Sequence, residues 1–177
     1  MRKIILFLIL FTVVLSISSI ANASEDYISQ NVAEAKANGT ARYKFLFMDI
    51  YDATLYAPKT GWSFSSPFAL KLRYLRNLSG KKIADRSAKE IRQQGFSNEV
   101  KLADWHTQMT NIFPHVRNNT TLTGIYKPND ETVFYKNGIL IGRVKDPEFG
   151  KWFFGIWLSE NTSEPEFRKT LLGNKKS

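Results

Sequence analysis

Residues 41–58 read Ala-Arg-Tyr-Lys-Phe-Leu-Phe-Met-Asp-Ile-Tyr-Asp-Ala-Thr-Leu-Tyr-Ala-Pro, and this stretch decides the fold that the sequence predicts. It is rich in aromatic and β-branched residues, begins just after Asn38-Gly39 and ends at a proline, which is typical of strands that follow a tight turn. Side chains alternate between the two faces of a strand, so Arg42 shares a face with the apolar Leu46. We therefore expect a guanidinium among apolar side chains and treat Arg42 as the first candidate functional residue.

Alternating and helical patterns predict the elements around this stretch. The predicted strands are 27–36, 40–48, 50–56, 68–76, 120–127, 132–136 and 139–145. The predicted helices are 80–94, 99–113, one that starts at Asp146-Pro147-Glu148 and one that runs from Ser163 to Gly173. We expect hairpin turns at Asn38-Gly39 and Asn137-Gly138, an N-cap at Ser79 and a capping box at Ser163 and Glu166.

The order of these elements predicts the fold class. Strands precede two helices, further strands follow, and two helices end the chain, with hairpins rather than crossovers between the strands. This order indicates an α+β fold in which helices layer one face of an antiparallel sheet. On that arrangement, Arg42 points into the helix-covered layer. The alternative is an internal ion pair between Arg42 and one of three acids, Asp49, Asp52 or Glu90.

The N-terminus predicts export. Arg2 and Lys3 precede an apolar run at 4–15, and small residues end at Ala21-Asn22-Ala23, which is the pattern of a secretory signal peptide cleaved after Ala23. The apolar run is shorter than the roughly 20 residues of a membrane span. We expect residues 24–177 to form a single domain, since that length suffices for one hydrophobic core.

Two further features favour a bacterial periplasmic location. The chain has no cysteine, so neither a disulfide nor a lipoprotein anchor is possible. It also has many potential N-glycosylation sites for its length. Several of them would be glycosylated in a eukaryotic secretory pathway, so their number favours a bacterial periplasm. These sites are Asn38, Asn77, Asn118, Asn119 and Asn161.

Composition narrows the function classes. The formal net charge of +9 favours anionic membrane surfaces, nucleic acids or acidic small molecules as partners, although a solvated basic surface explains it as simply. Export argues against nucleic acid. No Gly-rich phosphate loop or Gly-x-Ser-x-Gly elbow is present, and the two histidines, His106 and His115, lack metal-binding neighbours in the sequence, so we predict no metal and no cofactor.

A set of motifs in one order resembles the chalcone isomerase-like family, in particular its bacterial exported branch. The resemblance extends from about residue 32 to 173 and implies an open-faced β-sandwich with a ligand cleft between a large antiparallel sheet and helices. It rests on Asn38-Gly39 followed by Arg42, Tyr51-Asp52-Ala53-Thr54-Leu55-Tyr56, Ser79-Gly80-Lys81-Lys82, Asn137-Gly138, Asp146-Pro147-Glu148-Phe149, Ile156-Trp157-Leu158 and Leu171-Leu172-Gly173.

The resemblance also implies candidate site residues. Plant members of the family close chalcones to flavanones with a strand Arg, a Thr, a Tyr and an Asn. Arg42 matches the Arg, whereas the chain has Tyr51 for the Thr, Ile83 for the Tyr and Glu90 for the Asn. Ile83 has no group that polarises a carbonyl or orders a water, which favours a binding function over the isomerase activity.

Three functions follow as hypotheses. Non-catalytic relatives bind fatty acids, with the strand Arg and a Tyr holding the carboxylate, and this implies a binding protein for a small amphipathic anion. An intramolecular lyase acting on a chalcone-like compound is the second hypothesis, and a structural or partner-binding envelope protein is the third. The ligand-binding residues that we predict are Arg42, Tyr51, Tyr56, Ile83 and Glu90.

Overall fold

The structure is a computed structural model that describes residues 26–173. It contains a six-stranded sheet in which every strand pairs antiparallel with its neighbours in sequence. The strands are β1 (Lys36–Phe45), β2 (Met48–Ala57), β3 (Phe68–Tyr74), β4 (Thr121–Tyr126), β5 (Thr132–Lys136) and β6 (Ile139–Val144).

Four helices cover one face of this sheet, which we call the inner face. Apolar side chains alternate with polar ones along the strands, and the apolar set, such as Ala53 and Leu55 of β2, lies under the helices. The predicted α+β class, with an antiparallel sheet layered by helices, is confirmed. These helices are α2 (Gly80–Gln93), α3 (Glu99–Ile112), α4 (Phe149–Leu158) and α5 (Pro165–Leu171).

The opposite face, the outer face, carries a second and smaller core. A short helix, α1 (Asp26–Ser29), and the residues after it place Ile28 and Val32 against Ile125 and its neighbours on the sheet. The Tyr27 hydroxyl is 2.8 Å from Thr123 Oγ1. The predicted strand 27–36 is therefore wrong over most of its length: the apolar spacing that looked like weak alternation belongs to a segment that lies across the sheet.

The first hairpin turn also differs from the prediction. Asn38 and Gly39 lie within β1 at a register shift, and the turn between β1 and β2 is formed by Leu46 and Phe47, which both have positive φ. The close approach of α5 explains the glycine, because a methyl group at position 39 would overlap the carbonyl oxygens of Thr170 and Leu171. Asn137-Gly138 does form the predicted turn between β5 and β6.

The sequence predicts where α2 and α5 begin, but it predicts the capping hydrogen bond correctly only for α2. The Ser79 hydroxyl accepts a hydrogen bond from the Lys82 backbone N–H and caps α2, as predicted. Ser163 does not cap the last helix, because its hydroxyl donates to the Glu90 carboxylate on α2 at 2.8 Å. The predicted capping box with Glu166 is wrong for that reason, and Pro165 begins α5 without a side-chain cap.

Within residues 26–173, no helix has the length and hydropathy required to span a bilayer. The predicted signal peptide, residues 1–23, lies outside the described residues.

Candidate functional site

A cavity of about 260 Å³ lies between the inner face of the sheet and the helices. Strands β1 to β4 form its floor, α2 forms its roof, and side chains of α4 line its wall. Its interior walls are apolar. They include Leu70, Leu72, Leu122, Phe113, Phe134, Phe153, Phe154 and Ile156.

Three tyrosines form a row across neighbouring strands on the floor of this cavity. Tyr43 of β1 pairs directly with Tyr51 of β2, and Tyr51 pairs directly with Tyr74 of β3. The Tyr43 and Tyr51 rings stack at 5.1 Å between centroids, and the Tyr51 and Tyr74 rings meet edge to face at 5.8 Å. Strand register therefore brings three phenols to one end of an otherwise apolar cavity.

These phenols are hydrogen-bond donors at neutral pH. Burial raises the pKa of Tyr51 far above its ordinary value, against the opposing effect of the Trp157 indole N–H, which donates to the Tyr51 oxygen at 2.9 Å. Burial likewise raises the pKa of Tyr74, and that of Tyr43 against the nearby positive charge of Arg86. Because Trp157 uses a lone pair of the Tyr51 oxygen, the hydroxyl hydrogen of Tyr51 remains to donate to a ligand.

The mouth of the cavity carries the charges. Arg86 of α2 pairs through Nη2 with Glu90 Oε1 at 2.5 Å, and Glu90 is 4% exposed. The Arg86 side chain is 47% exposed, and Lys82, one turn earlier on α2, also lines the mouth. A guanidinium has five N–H donors, so the pairing with Glu90 leaves donors on Arg86 for a second anion.

Three of the predicted site residues meet at this cavity. Tyr51 lies on its floor, while Ile83 and Glu90 line it from α2. Tyr56 does not line it, because the alternation of β2 places Tyr56 on the outer face with the small core around Ile28.

Arg42 also lies on the outer face, and the prediction that it points into the helix-covered layer is wrong. Its Nε donates to Asp52 Oδ1 at 2.7 Å, and its Nη1 donates to Asp49 Oδ2 at 3.0 Å. Arg73 of β3 donates to the other Asp52 oxygen at 2.5 Å. The hydrogen bond from Arg42 is the main cause that lowers the pKa of Asp52. The internal ion pair with Asp49 and Asp52, left open as the alternative, is what the structure contains.

The residues that sequence reasoning missed are Arg86, Tyr43 and Tyr74. Arg86 follows Ile83 by three positions on α2, so a helical spacing from a predicted site residue was the available signal. Tyr43 lies two positions after the buried Ala41 and therefore on the same face of β1, whereas Arg42 lies on the opposite face. The bulge at Tyr43 and Lys44 and the pairing of Tyr74 with Tyr51 had no counterpart in the sequence pattern.

Histidine and carboxylate side chains do not assemble a metal centre in the described part of the chain, where no group of three or more such side chains is suitably placed. His106 instead lies 2.7 Å from Asp85 on the surface of α2 and α3. Lys81 first and His106 second lower the pKa of Asp85 through hydrogen bonds.

The chalcone isomerase-like family matches residues 22–173, and the chain belongs to this family. Its fold is similar to that in the crystal structure of a fatty-acid binding protein from Arabidopsis thaliana, with a TM-score of 0.62. The two chains are 13% identical, and the alignment covers 80% of this chain and 88% of the Arabidopsis chain. A search of curated proteins found no match. The predicted family and its open-faced fold are thereby confirmed.

Proposed function

We propose that the protein binds a small amphipathic acid, such as a fatty acid, without catalysing a reaction on it. The observation that carries this proposal is the division of one cavity into an apolar interior and a polar mouth. Ligand sites commonly combine apolar walls with a few placed polar groups. An amphipathic acid matches both halves of this cavity.

The interior suits an acyl chain. Leucine, isoleucine and phenylalanine side chains of β3, β4 and α4 face the cavity, and burial of each CH₂ group of a ligand stabilises binding by about 0.8 kcal/mol. The volume of about 260 Å³ lies just below the usual range for ligand pockets, roughly 300–1,000 Å³. We therefore expect medium-length chains to bind better than long ones.

The mouth suits a carboxylate. Arg86 and Lys82 provide positive charge there, and Tyr51 provides a buried O–H donor. Charge-assisted hydrogen bonds from a guanidinium are stronger than neutral ones. Arg86 thus replaces Arg42 as the residue that we expect to hold the acid.

Two further considerations support binding over catalysis. The structurally similar Arabidopsis protein is named as a fatty-acid binding protein. The resemblance to catalytic family members puts Ile83 at the position of their hydroxyl-bearing Tyr, and Ile83 lines the cavity. The position that would polarise a carbonyl is therefore apolar.

The sharpest test compares two arginines of equal exposure, Arg86 on α2 at the cavity and Arg42 on the outer face of β1. The side chains of Arg86 and Arg42 are both 47% exposed, and both pair with carboxylates. Binding of a fluorescent medium-chain fatty acid should weaken about tenfold, or about 1.4 kcal/mol, in Arg86→Ala. Arg42→Ala is the matched control and should bind within about twofold of the wild type, since a group on the outer face contributes no contact.

Equal losses in the two variants, or no binding by the wild type, would contradict the proposal. A second experiment incubates the protein with a chalcone and follows the loss of chalcone absorbance. Turnover by the wild type above background, at a rate that Ile83→Tyr does not exceed, would favour the lyase. Mass spectrometry of organic extracts from the purified protein should identify a bound acid, with less of it in Arg86→Ala.

We also propose that the protein is a bacterial exported member of the family that works in the periplasm. The N-terminal pattern of Arg2-Lys3, an apolar run and Ala21-Asn22-Ala23 supports this location. Cell fractionation with intact-mass measurement should find a periplasmic chain that begins at Ser24. A chain that retains Met1 in the cytoplasm would contradict it.

A further inference from the structure

The turn between β1 and β2 exposes an unusual amount of apolar surface. We call residues 45–48 the hairpin tip. Phe47 is fully exposed at 101%, Leu46 is 71% exposed, and the flanking Phe45 and Met48 are 45% and 40% exposed. Single exposed apolar residues are common on protein surfaces, but four consecutive ones at a projecting turn are typical of an interaction site.

Local turn preference does not explain these residues. Phe45 pairs with Met48, so Leu46 and Phe47 form a two-residue turn, with φ of 45° and 65°. Both values fall in the left-handed region, which Asn and Gly tolerate far better than bulky residues. The same chain places Asn137-Gly138 at the equivalent turn between β5 and β6, with φ of 49° and 81°. The hairpin tip therefore carries large apolar side chains in spite of its backbone.

Basic side chains surround the hairpin tip. Lys44 precedes it with 62% of its side chain exposed, and its Nζ lies 3.4 Å from Asp49 Oδ1. Arg76 donates through Nε to the Asp49 carbonyl oxygen at 3.1 Å, and Lys82 lies at the cavity mouth, which Phe45 also lines. The Asp49 carboxylate is shared by Lys44 and Arg42, so with Arg76 and Lys82 nearby the surroundings of the hairpin tip keep a net positive charge.

Strand direction places a second exposed apolar group at the same end of the sheet. Because all neighbouring strands are antiparallel, the β1–β2 turn and the β5–β6 turn lie at one end. Ile139, directly after the β5–β6 turn, is 71% exposed. This end therefore combines apolar projections with positive charge.

We propose that the hairpin tip docks on a bilayer containing anionic phospholipids, with Leu46 and Phe47 entering the interface. The combination of exposed apolar residues and flanking basic ones matches the two contributions to peripheral membrane binding, apolar burial and attraction to anionic headgroups. Since Phe45 belongs both to the hairpin tip and to the cavity mouth, docking brings the mouth to the membrane surface. This last step rests on the proposed function: the amphipathic ligand then passes between bilayer and cavity without crossing bulk water.

The proposal is tested with a variant that improves the turn while removing the apolar surface. Leu46→Asn with Phe47→Gly introduces the dipeptide that such turns prefer, so thermal stability should be unchanged or higher. The processed protein is mixed with vesicles of phosphatidylcholine alone or with about a third phosphatidylglycerol, and the bound fraction is measured by flotation. We expect the wild type to float with the anionic vesicles and the double variant to bind at least about tenfold more weakly.

Val100→Ser is the matched control. Val100 is 85% exposed at the start of α3, and α2 runs about 20 Å away from the hairpin-tip end before α3 begins. Loss of this exposed side chain should leave vesicle binding unchanged. Lys44→Glu, which reverses a flanking charge, should weaken binding to anionic vesicles and make the remaining binding less sensitive to salt.

Absence of wild-type binding to anionic vesicles, or equal binding by the double variant, would overturn the proposal. Self-association of the wild type that the double variant loses, without vesicle binding, would show that a second copy covers the hairpin tip instead. Ligand binding in solution does not depend on the tip: the double variant should keep the fatty-acid affinity that Arg86→Ala loses, so the two proposals fail separately.

Discussion

The outer and inner faces of the β1–β2 hairpin are built from alternate residues of the same strands and have opposite chemistry. On the outer face, Arg42 pairs with Asp52, which also holds Arg73, in an exposed ionic cluster. On the inner face, Tyr43 pairs with Tyr51 at the floor of an apolar cavity. Neighbouring residues, about 3.3 Å apart along the chain, thus belong to different environments.

The location of a guanidinium in the fold, more than its exposure, decides whether it lines the cavity. Arg42 and Arg86 have equal exposure and similar partners, yet only Arg86 lies at the cavity. Exposed ion pairs such as that of Arg42 stabilise a fold by about 0–1 kcal/mol. Arg86, by contrast, lines the mouth of the cavity, where the proposed function requires a positive charge.

The largest expected effect concerns packing on the inner face of β1. Gly39→Ala should lower the free energy of unfolding by about 3 kcal/mol, because the added methyl group overlaps the α5 carbonyl oxygens at Thr170 and Leu171. Thr40→Ala on the outer face loses only an exposed hydroxyl contact with Thr54 and should cost less than about 0.5 kcal/mol. Urea denaturation measures the free energy of unfolding of both variants. Similar losses would show that the packing of α5 on β1 does not require the close approach at Gly39.

The second effect concerns the volume of the cavity. Ile83→Trp places a larger side chain at the roof and should weaken fatty-acid binding about 100-fold, or about 2.7 kcal/mol, with little loss of thermal stability because it fills existing space. Ile83→Val is the control and should retain binding. Titration calorimetry compares them, and full affinity in Ile83→Trp would place the ligand elsewhere.

The third effect sharpens the role of Arg86 by removing its partner's charge. Glu90→Gln keeps an acceptor for the Ser163 hydroxyl but no longer neutralises Arg86. Binding of a fatty acid should therefore strengthen, by roughly three- to tenfold. Asp52→Asn on the outer face should leave the affinity unchanged. A weaker affinity in Glu90→Gln would indicate that the bound head group is not anionic.

The smallest effect is the pH dependence of the outer face. Arg42 chiefly, together with Arg73, lowers the pKa of Asp52 below its unfolded value of about 3.9. The resulting stabilisation, at most about 1 kcal/mol for exposed ion pairs, is complete above that value and is lost as the pH falls through the lower folded pKa. Asp52→Asn should thus be less stable than the wild type at pH 7, with the difference shrinking below about pH 4. A constant difference from pH 7 to pH 3 would contradict this linkage.

Periodic patterns predicted most elements because they report burial directly. The alternation of β3 and the helical spacing of α2 and α3 each follow from one face that packs on the core. The same reasoning failed for 27–36, where a few apolar residues pack on the outer face without forming a strand. Short apolar patterns do not distinguish a strand from a segment lying across a sheet.

The two Asn-Gly dipeptides show the limit of turn chemistry. Asn137-Gly138 forms a hairpin turn, whereas Gly39 serves the contact with α5, and Asn38 donates to the Leu171 carbonyl oxygen at 3.0 Å. Glycine suits either a positive φ or a close approach. The sequence does not state which of these requirements is present.

The sequence by itself determined the α+β class, the order of the β3-to-α4 elements and the family, because these follow from local periodicity, caps and motifs. It also placed Tyr51, Ile83 and Glu90 among the residues that line one cavity. Tertiary structure alone decided that Arg42 faces outward and that Tyr43, Tyr74 and Arg86 line the same cavity. The physical reason is that cross-strand register and the placement of α2 over the sheet depend on contacts between residues far apart in the chain.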